Sequence, residues 1–325
     1  MRVVLANHSS YPRVASAANG TRLRRAYANR ETGKITDSDY DEVARDYIAE
    51  IIKEQEDAGV ELVTDGIVTW YDLMSRPASR LAGVEINGIV RFFDTNTYVR
   101  QPVVVGTVEG AFGLADDFAT ATSLAATEVK AILTGPYTLA RHSIIRSGGD
   151  LSSVGLAYAE ALRKELVALE KAGARVVQIE EPSLLRNPDD AELVRSLLER
   201  AMQSKGTLFV SLATYFGDAT TVYGELLKMP VDMIALDLVY GPRLVETIVH
   251  EGADKPLALG LIDGRNTKLD DTQAVAAALG RIAEALDVRG VREVHLQPSC
   301  GLEFLPRDRA KRKLERMREI KDAVA

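Results

Sequence analysis

Cysteine is almost absent from this sequence: Cys300 is the only one among 325 residues. A lone cysteine excludes a disulfide within the chain and is typical of a reducing compartment, so we expect a cytoplasmic protein. The N-terminal stretch MRVVLANHSSYPRV lacks the apolar core of a signal peptide. The sequence has no run of about 18 apolar residues, which excludes a membrane-spanning helix and argues against a membrane partner.

Basic blocks are missing as well. Lys and Arg number 40 against 47 Asp and Glu, which gives a formal net charge of −7. A chain without a basic stripe is not expected to bind nucleic acid, so small molecules are the expected partners. The basic segment 307–321 alternates its charges at helical spacing, which is typical of a solvated helix face. The sequence leaves a homodimer open.

One pattern recurs along the chain: a segment of helical period ends at a glycine, and a short apolar run follows at once. EQEDAG before VELVTDG and LEKAG before ARVVQIEEP are examples. Glycine commonly ends a helix, and runs rich in Val, Ile and Leu predict strands buried on both faces. The predicted strands, numbered 1 to 8, are 2–6, 61–65, 129–133, 175–180, 207–212, 232–237, 257–262 and 292–297. The predicted helices are 39–58, 152–172, 188–204, 241–251, 270–287 and 307–324.

Eight strands that mostly alternate with helices predict a TIM (β/α)8 barrel, in a single domain over 1–325. The alternative is an open doubly wound sheet, but no GxGxxG follows an early strand. The interval 84–110 alternates and has turn signals at Asn87-Gly88 and around Asn96. It therefore predicts a β-hairpin inserted after strand 2.

Polar residues are concentrated at the predicted strand ends, whereas the predicted strand interiors are nearly free of charge. The active site of a TIM barrel lies at the C-terminal ends of its strands, so these residues predict an enzyme-type pocket. The candidates are His8 and Ser10 after strand 1, Asp65 after strand 2, Glu180 and Glu181 after strand 4, Thr214 at strand 5, Asp237 at strand 6, Asp263 and Arg265 after strand 7, and Cys300 after strand 8.

Several candidates also have a structural interpretation. Glu180 and Glu181 are compatible with capping a helix, and Asp237 with an N-cap. Trp70, just after strand 2, is compatible with lining the pocket or packing in the core. Cys300 is compatible with a metal ligand, a nucleophile or a structural thiol, so its role stays open at this point.

Several strand ends together resemble a known family. The segments NHSSYPR (7–13), TDG (64–66), LTGPYTLAR (133–141), QIEEPSL (178–184) and QPSCGLEFLPRDRAKRKLERM (297–317) resemble the catalytic C-terminal domain of cobalamin-independent methionine synthase. The chain is similar to a short form of that family, which has the TIM barrel fold. The resemblance implies a methyltransferase of methionine biosynthesis, with 5-methyl-tetrahydrofolate as donor and a thiol such as homocysteine as acceptor.

The resemblance also implies a zinc ion that holds the acceptor thiol as thiolate. Cys300 falls on the family's strand 8 ligand, and Asp237 falls on its strand 6 Glu. Leu212 and Thr214 fall on the His and Cys of strand 5, and neither is a usual zinc ligand. The resemblance therefore implies a degenerate zinc site.

Substrate residues are carried over in the same way. Glu180 falls on the Asp that meets the substrate amine, Ile67 on an acidic residue of the amino-acid pocket, and Arg265 on a His near the transfer centre, whereas Ser10 is kept. We expect catalytic roles for Asp263, Arg265 and Glu180, and substrate binding by His8, Ser10, Asp65, Glu181, Trp70 and Thr214.

Two other hypotheses remain open. The first is a metal-free lyase or decarboxylase, in which Arg265 grips a substrate carboxylate. The second is a non-catalytic protein that keeps the barrel and its pocket for binding a small molecule.

Overall fold

The computed structural model describes residues 1–14 and 20–324. The strands are β1 (Arg2–Leu5), β2 (Leu62–Val63), β3 (Ala82–Arg91), β4 (Tyr98–Glu109), β5 (Glu128–Thr134), β6 (Ile144–Ile145), β7 (Val176–Glu180), β8 (Phe209–Thr214), β9 (Met233–Asp237), β10 (Leu257–Ile262) and β11 (Glu293–Pro298). The α-helices are α1 (Arg22–Glu31), α2 (Asp37–Asp57), α3 (Ser75–Ala78), α4 (Ala115–Leu124), α5 (Pro136–His142), α6 (Leu151–Lys171), α7 (Ala191–Met202), α8 (Tyr223–Leu227), α9 (Leu244–Glu251), α10 (Thr272–Asp287) and α11 (Arg307–Val324).

Within the described residues, eight parallel strands form one sheet in the order β1-β11-β10-β9-β8-β7-β5-β2. A parallel bridge between Ala6 and Leu62 joins the two ends of this sheet. The predicted TIM barrel is therefore confirmed, and so are the eight predicted strands. β2 is shorter than predicted because the side chain of Gln55, on α2, bonds both the backbone N–H and the C=O of Thr64. Those backbone groups are no longer available to a neighbouring strand.

The predicted helices are also present, with capping residues that explain where they begin. Thr36 and Asp150 form capping boxes at the starts of α2 and α6. The Asp271 side chain accepts from Ala274 N at the start of α10. Each cap satisfies backbone N–H groups that the first helical turn leaves unpaired. These helices surround the barrel and fix the positions of the strand ends.

A hairpin lies between β2 and β5 in the chain. β3 and β4 pair antiparallel, and β6 adds to β4 as a third strand. The turn expected at Asn87-Gly88 is wrong: β3 continues through these residues, with a register shift between Asn87 and Ile89. Gly88 has φ +63°, which a bulge accommodates without turning the chain back. The turn itself spans 92–97, where Phe92 N bonds Thr97 O, in agreement with the signal around Asn96.

The inside of the barrel is partly polar. Apolar side chains fill one part of it. They form a cluster separate from the main core, made of Ala213, Met233, Ala235 and Ala258. Lys130 and Gln178, on β5 and β7, are buried and bonded to each other. Over the described ranges 1–14 and 20–324, no helix is long and apolar enough to cross a membrane.

Candidate functional site

Glu180, the last residue of β7, is the centre of a buried polar cluster at the barrel mouth. Tyr215 donates its hydroxyl to Glu180 Oε2 at 2.6 Å. Gln178 Nε2 donates to Glu180 Oε1 at 3.1 Å. Burial raises the pKa of Glu180 in spite of these donors. A carboxylate with a raised pKa and fixed donors is suited to accept and release a proton.

His8 faces the same carboxylate from the end of β1. Its Nδ1 lies 3.6 Å from Glu180 Oε1 and 2.9 Å from Ser9 Oγ. Its ring meets the Tyr215 ring edge-on, with centroids 5.1 Å apart. Burial, and then the nearby Lys130 charge, lower the pKa of His8, which favours the neutral imidazole.

Cys300 follows β11 and Asp237 is the last residue of β9, and β10 lies between these two strands in the sheet. The Cys300 thiol is fully buried and donates to Gly301 O at 3.4 Å. Burial, together with the charges of Asp237 and Glu303, raises the pKa of this thiol. Burial also raises the pKa of Asp237 to about 7. The thiol therefore favours its protonated form, which is a poor nucleophile.

The donor set does not fit a zinc site of the usual kind, which has four ligands. Asp237 already accepts backbone N–H groups from Phe216, Val239 and Tyr240, at 2.9 to 3.3 Å. Leu212 packs in the main core and offers no donor atom. In the part of the chain that the structure describes, no group of three or more His, Cys, Asp or Glu side chains could hold a metal ion.

The turn 92–97 of the hairpin covers the mouth of the barrel. The rings of Phe92 and Phe93 lie 6.3 and 5.7 Å from the ring of Phe216, which follows β8. Asp94 pairs with Arg186, which follows β7, and its carbonyl accepts from Arg265 Nη2 at 3.4 Å. One turn thus contacts the loops after β7, β8 and β10, which lie at the barrel mouth.

Arg265 and Asp263 follow β10 on the covered side. Arg265 Nη1 donates to the Tyr240 hydroxyl, and its guanidinium lies 5.2 Å from the ring centroids of both Phe216 and Tyr240. Asp263 Oδ1 accepts from Arg265 N at 2.9 Å, which shapes the loop. Two of the three residues predicted as catalytic, Arg265 and Asp263, therefore lie where they shape and hold the loop against the turn 92–97.

Strained backbone is concentrated around this mouth. Among the described non-glycine residues, φ is positive at Ile67 (54°), Phe93 (52°) and Phe216 (64°). Such a conformation is most unfavourable for a β-branched residue such as Ile67. Strain of this kind costs about 1–3 kcal/mol per residue and clusters at binding and active sites.

A cavity of about 470 Å³ opens beside the cluster. Ser10 and Glu303 supply polar groups to its wall, and Ile67 and Phe92 supply apolar ones. Burial raises the pKa of Glu303 to about 7, and the Glu180 charge adds to that rise. Ser10, predicted to bind substrate, therefore lies in the wall of this cavity.

Three other candidates, Glu181, Asp65 and Trp70, bond to groups outside the Glu180 cluster. Both carboxylate oxygens of Glu181 accept backbone N–H groups at the start of α5, from Tyr137 at 2.9 Å and Thr138 at 2.7 Å. Asp65 Oδ1 accepts from Ile67 N at 2.9 Å, and burial raises the pKa of Asp65 to about 6. Trp70 donates to Asp117 at 3.2 Å. A fourth candidate, Thr214, is buried at the end of β8, and its Oγ1 has no hydrogen-bond partner among the residues that the structure describes.

Sequence reasoning missed several residues of the cluster. Lys130, Gln178, Tyr215 and Glu303 were not among the candidates. A signal was present for the first two, because a Lys and a Gln interrupt otherwise apolar strands. Glu303 gave no such signal, since its contacts come from loops far apart in the chain.

The fold and the closed polar mouth define a TIM barrel enzyme, and comparison with solved structures agrees. A B12-independent methionine synthase from Shewanella sp. W3-18-1, solved with selenomethionine, superposes with a TM-score of 0.80 at 20% identity, covering 98% of this chain and 97% of that one. A putative vitamin-B12 independent methionine synthase from Listeria monocytogenes gives 0.71 at 20% identity, over 99% of each chain. At this identity the likeness shows the fold.

Comparison of the amino-acid sequence with known proteins shows the family to which this chain belongs. Residues 10–323 match the family described as cobalamin-independent synthase, catalytic domain. A methionine synthase from Saccharolobus solfataricus is 30% identical over 313 residues, 95% of this chain and 91% of that protein. One from Sulfurisphaera tokodaii is 31% identical over 311 residues, 95% of this chain and 88% of that protein. The chain belongs to the cobalamin-independent methionine synthase family, and the predicted methyltransferase class is confirmed.

Proposed function

We propose that this methyltransferase moves a methyl group from a reduced folate to a thiol acceptor, and that Glu180 takes the acceptor's proton. One observation carries the proposal: Glu180 is buried at the mouth, with Tyr215 at 2.6 Å and Gln178 at 3.1 Å as fixed donors. A thiol must lose its proton to become a good nucleophile. The residues that fall on the family's zinc ligands do not form a four-ligand set. The proposed transfer therefore does not use a metal ion.

The proposed step balances as follows. The acceptor S–H proton passes to Glu180, the S–CH3 bond forms, and the N–CH3 bond of the donor breaks. The donor nitrogen then takes up one proton, so that Glu180 returns to its starting state. Donation from the Tyr215 hydroxyl holds the carboxylate in one orientation through both proton transfers.

The turn 92–97, which covers the mouth of the barrel, supports the same methyl transfer. Phe92 lines the cavity and offers an aromatic ring to a flat donor ring, and Phe93 and Phe216 pack against it. The turn 92–97 excludes water, which strengthens the electrostatic interactions around Glu180. The guanidinium of Arg265 is engaged by Tyr240 and by the Asp94 carbonyl, so its contacts favour holding the cover over gripping a substrate carboxylate.

The test is transfer of labelled methyl from 5-methyl-tetrahydrofolate to homocysteine by the full chain. We expect Glu180→Gln to lower kcat by about 10²–10⁴-fold, the usual contribution of a general base. Glu284→Gln, on the exposed face of α10, is the matched control and should keep the wild-type rate. A Glu180→Gln variant with the wild-type rate would exclude this role. Decarboxylation or elimination without methyl transfer would support the lyase hypothesis instead.

A further inference from the structure

Lys130, on β5, is a cation inside the barrel that has no carboxylate in contact with it. Its side chain is buried, and Nζ donates to the neutral Gln178 Oε1 at 2.6 Å. Within the ranges 1–14 and 20–324, no carboxylate lies within salt-bridge distance of this ammonium group. Lysine is almost never fully buried unless it is paired, because a charged group loses favourable hydration when it leaves water. A lysine that is kept here in spite of that cost indicates a role other than packing.

The contact with Lys130 determines which way the amide of Gln178 faces. An ammonium group has three donors and no acceptor, so the amide oxygen faces it. The amide nitrogen then faces two acceptors, Glu180 Oε1 at 3.1 Å and the backbone carbonyl of His8 at 3.0 Å. A reversed amide would place its N–H groups against the ammonium group and its oxygen against the carboxylate and the carbonyl. All three contacts therefore favour the same orientation.

The oriented amide connects two parts of the barrel mouth. Glu180 is the last residue of β7, and His8 lies in the loop after β1. Gln178 bonds both of them from one fully buried side chain, and His8 Nδ1 lies 3.6 Å from Glu180 Oε1. The position of the imidazole relative to the carboxylate thus depends on the amide, and the orientation of the amide depends on Lys130.

We infer that Lys130 is a positioning residue for methyl transfer: its ammonium group orients the Gln178 amide, and the amide holds Glu180 and His8 in the geometry that the reaction uses. The inference rests on the proposed function in one respect, namely that Glu180 is the base. Other described residues line the cavity of about 470 Å³. We therefore expect Lys130 and Gln178 to affect the transfer step and to leave substrate binding nearly unchanged.

The first experiment measures methyl transfer from 5-methyl-tetrahydrofolate to homocysteine by the full chain. Lys130→Met keeps most of the length of the side chain and removes its donor. We expect kcat to fall about tenfold, with both KM values within about twofold of the wild type. Gln178→Leu should lower kcat by at least as much. Lys164→Met, at an exposed position of α6, is the matched control and should keep the wild-type kcat.

The double variant tests whether Lys130 acts through Gln178. Once Gln178 is replaced by Leu, no amide is left to orient, so adding Lys130→Met should lower kcat by less than about a further twofold. A full tenfold loss in both backgrounds would show that Lys130 acts independently of Gln178, and it would overturn the inference.

The second experiment needs no turnover. The carboxyl band of Glu180 is followed against pH by infrared difference spectroscopy and is assigned by its loss in Glu180→Gln. Burial raises the pKa of Glu180, and the bond from Gln178 and the charge of Lys130 oppose that rise. We therefore expect Lys130→Met to move the midpoint of this titration to higher pH by about one unit. The other titratable groups around this carboxyl remain in the variant, namely the His8 imidazole, the Tyr215 hydroxyl and the Glu303 carboxyl.

Circular dichroism shows whether each variant is folded, and Gln178→Leu provides the same two measurements if Lys130→Met is not. A folded Lys130→Met variant with the wild-type kcat and an unchanged Glu180 midpoint would overturn the inference, even where Glu180→Gln confirms the proposed base. A shifted midpoint in Lys130→Met, together with a wild-type rate in Glu180→Gln, would refute the proposed base and leave the positioning by Lys130 standing.

Discussion

Lys130 Nζ lies 2.6 Å from Gln178 Oε1 inside the barrel, and the amide of Gln178 donates in turn to Glu180. The ammonium group is thus linked to the proposed base through one neutral side chain. Gln178 Nε2 also bonds the carbonyl of His8 at 3.0 Å, so it holds two members of the cluster at once. Burial lowers the pKa of Lys130 to about 7, although the charge of Glu180 partly opposes that change.

This buried lysine predicts a specific pH dependence of stability. Its folded pKa of about 7 lies below the ordinary value of 10.5, so between these values the unfolded chain binds more protons. The free energy of unfolding should therefore rise with pH in this window, by up to about 1.4 kcal/mol per unit from this group. Lys130→Met should remove that part of the slope. Urea unfolding at about pH 7.5 and 9.5 measures it.

The matched control for this change is Lys164→Met, at an exposed position of α6. It should leave the slope of the wild type unchanged. If Lys130→Met gives the same slope as the wild type, the Lys130 ammonium is not held at a lowered pKa.

The hydroxyl of Tyr215 should set the acid limb of the pH–rate profile. Its donation favours the ionised form of Glu180, so Tyr215→Phe should raise the pKa of that carboxyl further. A hydrogen bond to a charged group is worth about 1.5 kcal/mol, or about one pH unit. We expect the acid limb of kcat to move to higher pH by about that amount. Tyr137→Phe, which loses a bond to Asp190, is the control and should not move the limb.

Gly301→Ala should displace Ser10 and Glu303, whose side chains occupy the space beside Gly301 and line the cavity. The added methyl group overlaps Ser10 Oγ and Glu303 Oε2, so homocysteine binding should weaken by at least about tenfold, with a stability loss of about 1–3 kcal/mol from overpacking. Calorimetry and thermal unfolding measure the two effects. Gly280→Ala, in α10 with open space around it, should instead stabilise by about 0.5–1 kcal/mol and bind normally. Normal homocysteine binding by Gly301→Ala would show that the acceptor does not contact this wall of the cavity.

Measurement of the metal content of the protein distinguishes the proposed mechanism from one that uses zinc. Protein purified without added metal should hold well below one zinc per chain, because Cys300 and Asp237 lack the partners of a four-ligand site. Elemental analysis measures the content, and chelator treatment should leave methyl transfer unchanged. Stoichiometric zinc that is lost in Cys300→Ser would contradict this expectation and support a metal-bound thiolate.

The barrel could be predicted from sequence because its signals are local. Each strand is a short apolar run, and several follow a glycine that ends a helix, as Gly173 does at φ +90° before β7. The turn of the hairpin was harder to place. Asn87-Gly88 has the composition of a tight turn, but a register shift absorbs it and the chain turns only after Phe92.

The site could be predicted only where its residues follow strands. Glu180, Asp237 and Cys300 were found by that rule, whereas Glu303 was not. Glu303 meets Ser10 through the folding of two loops almost 300 residues apart, and no spacing in the sequence records that contact. Lys130 and Gln178 lie inside strands, where a rule based on strand ends does not look.

The hairpin turn has a consequence for how this enzyme exchanges its ligands. Because 92–97 contacts the loops after three different barrel strands, displacing it would release those loops and admit solvent to Glu180 in a single event. Entry of substrate and departure of product would then share one opening motion. The insertion is also separate from the barrel sheet, so changes in its turn can alter ligand exchange without altering the strands that hold the reacting groups.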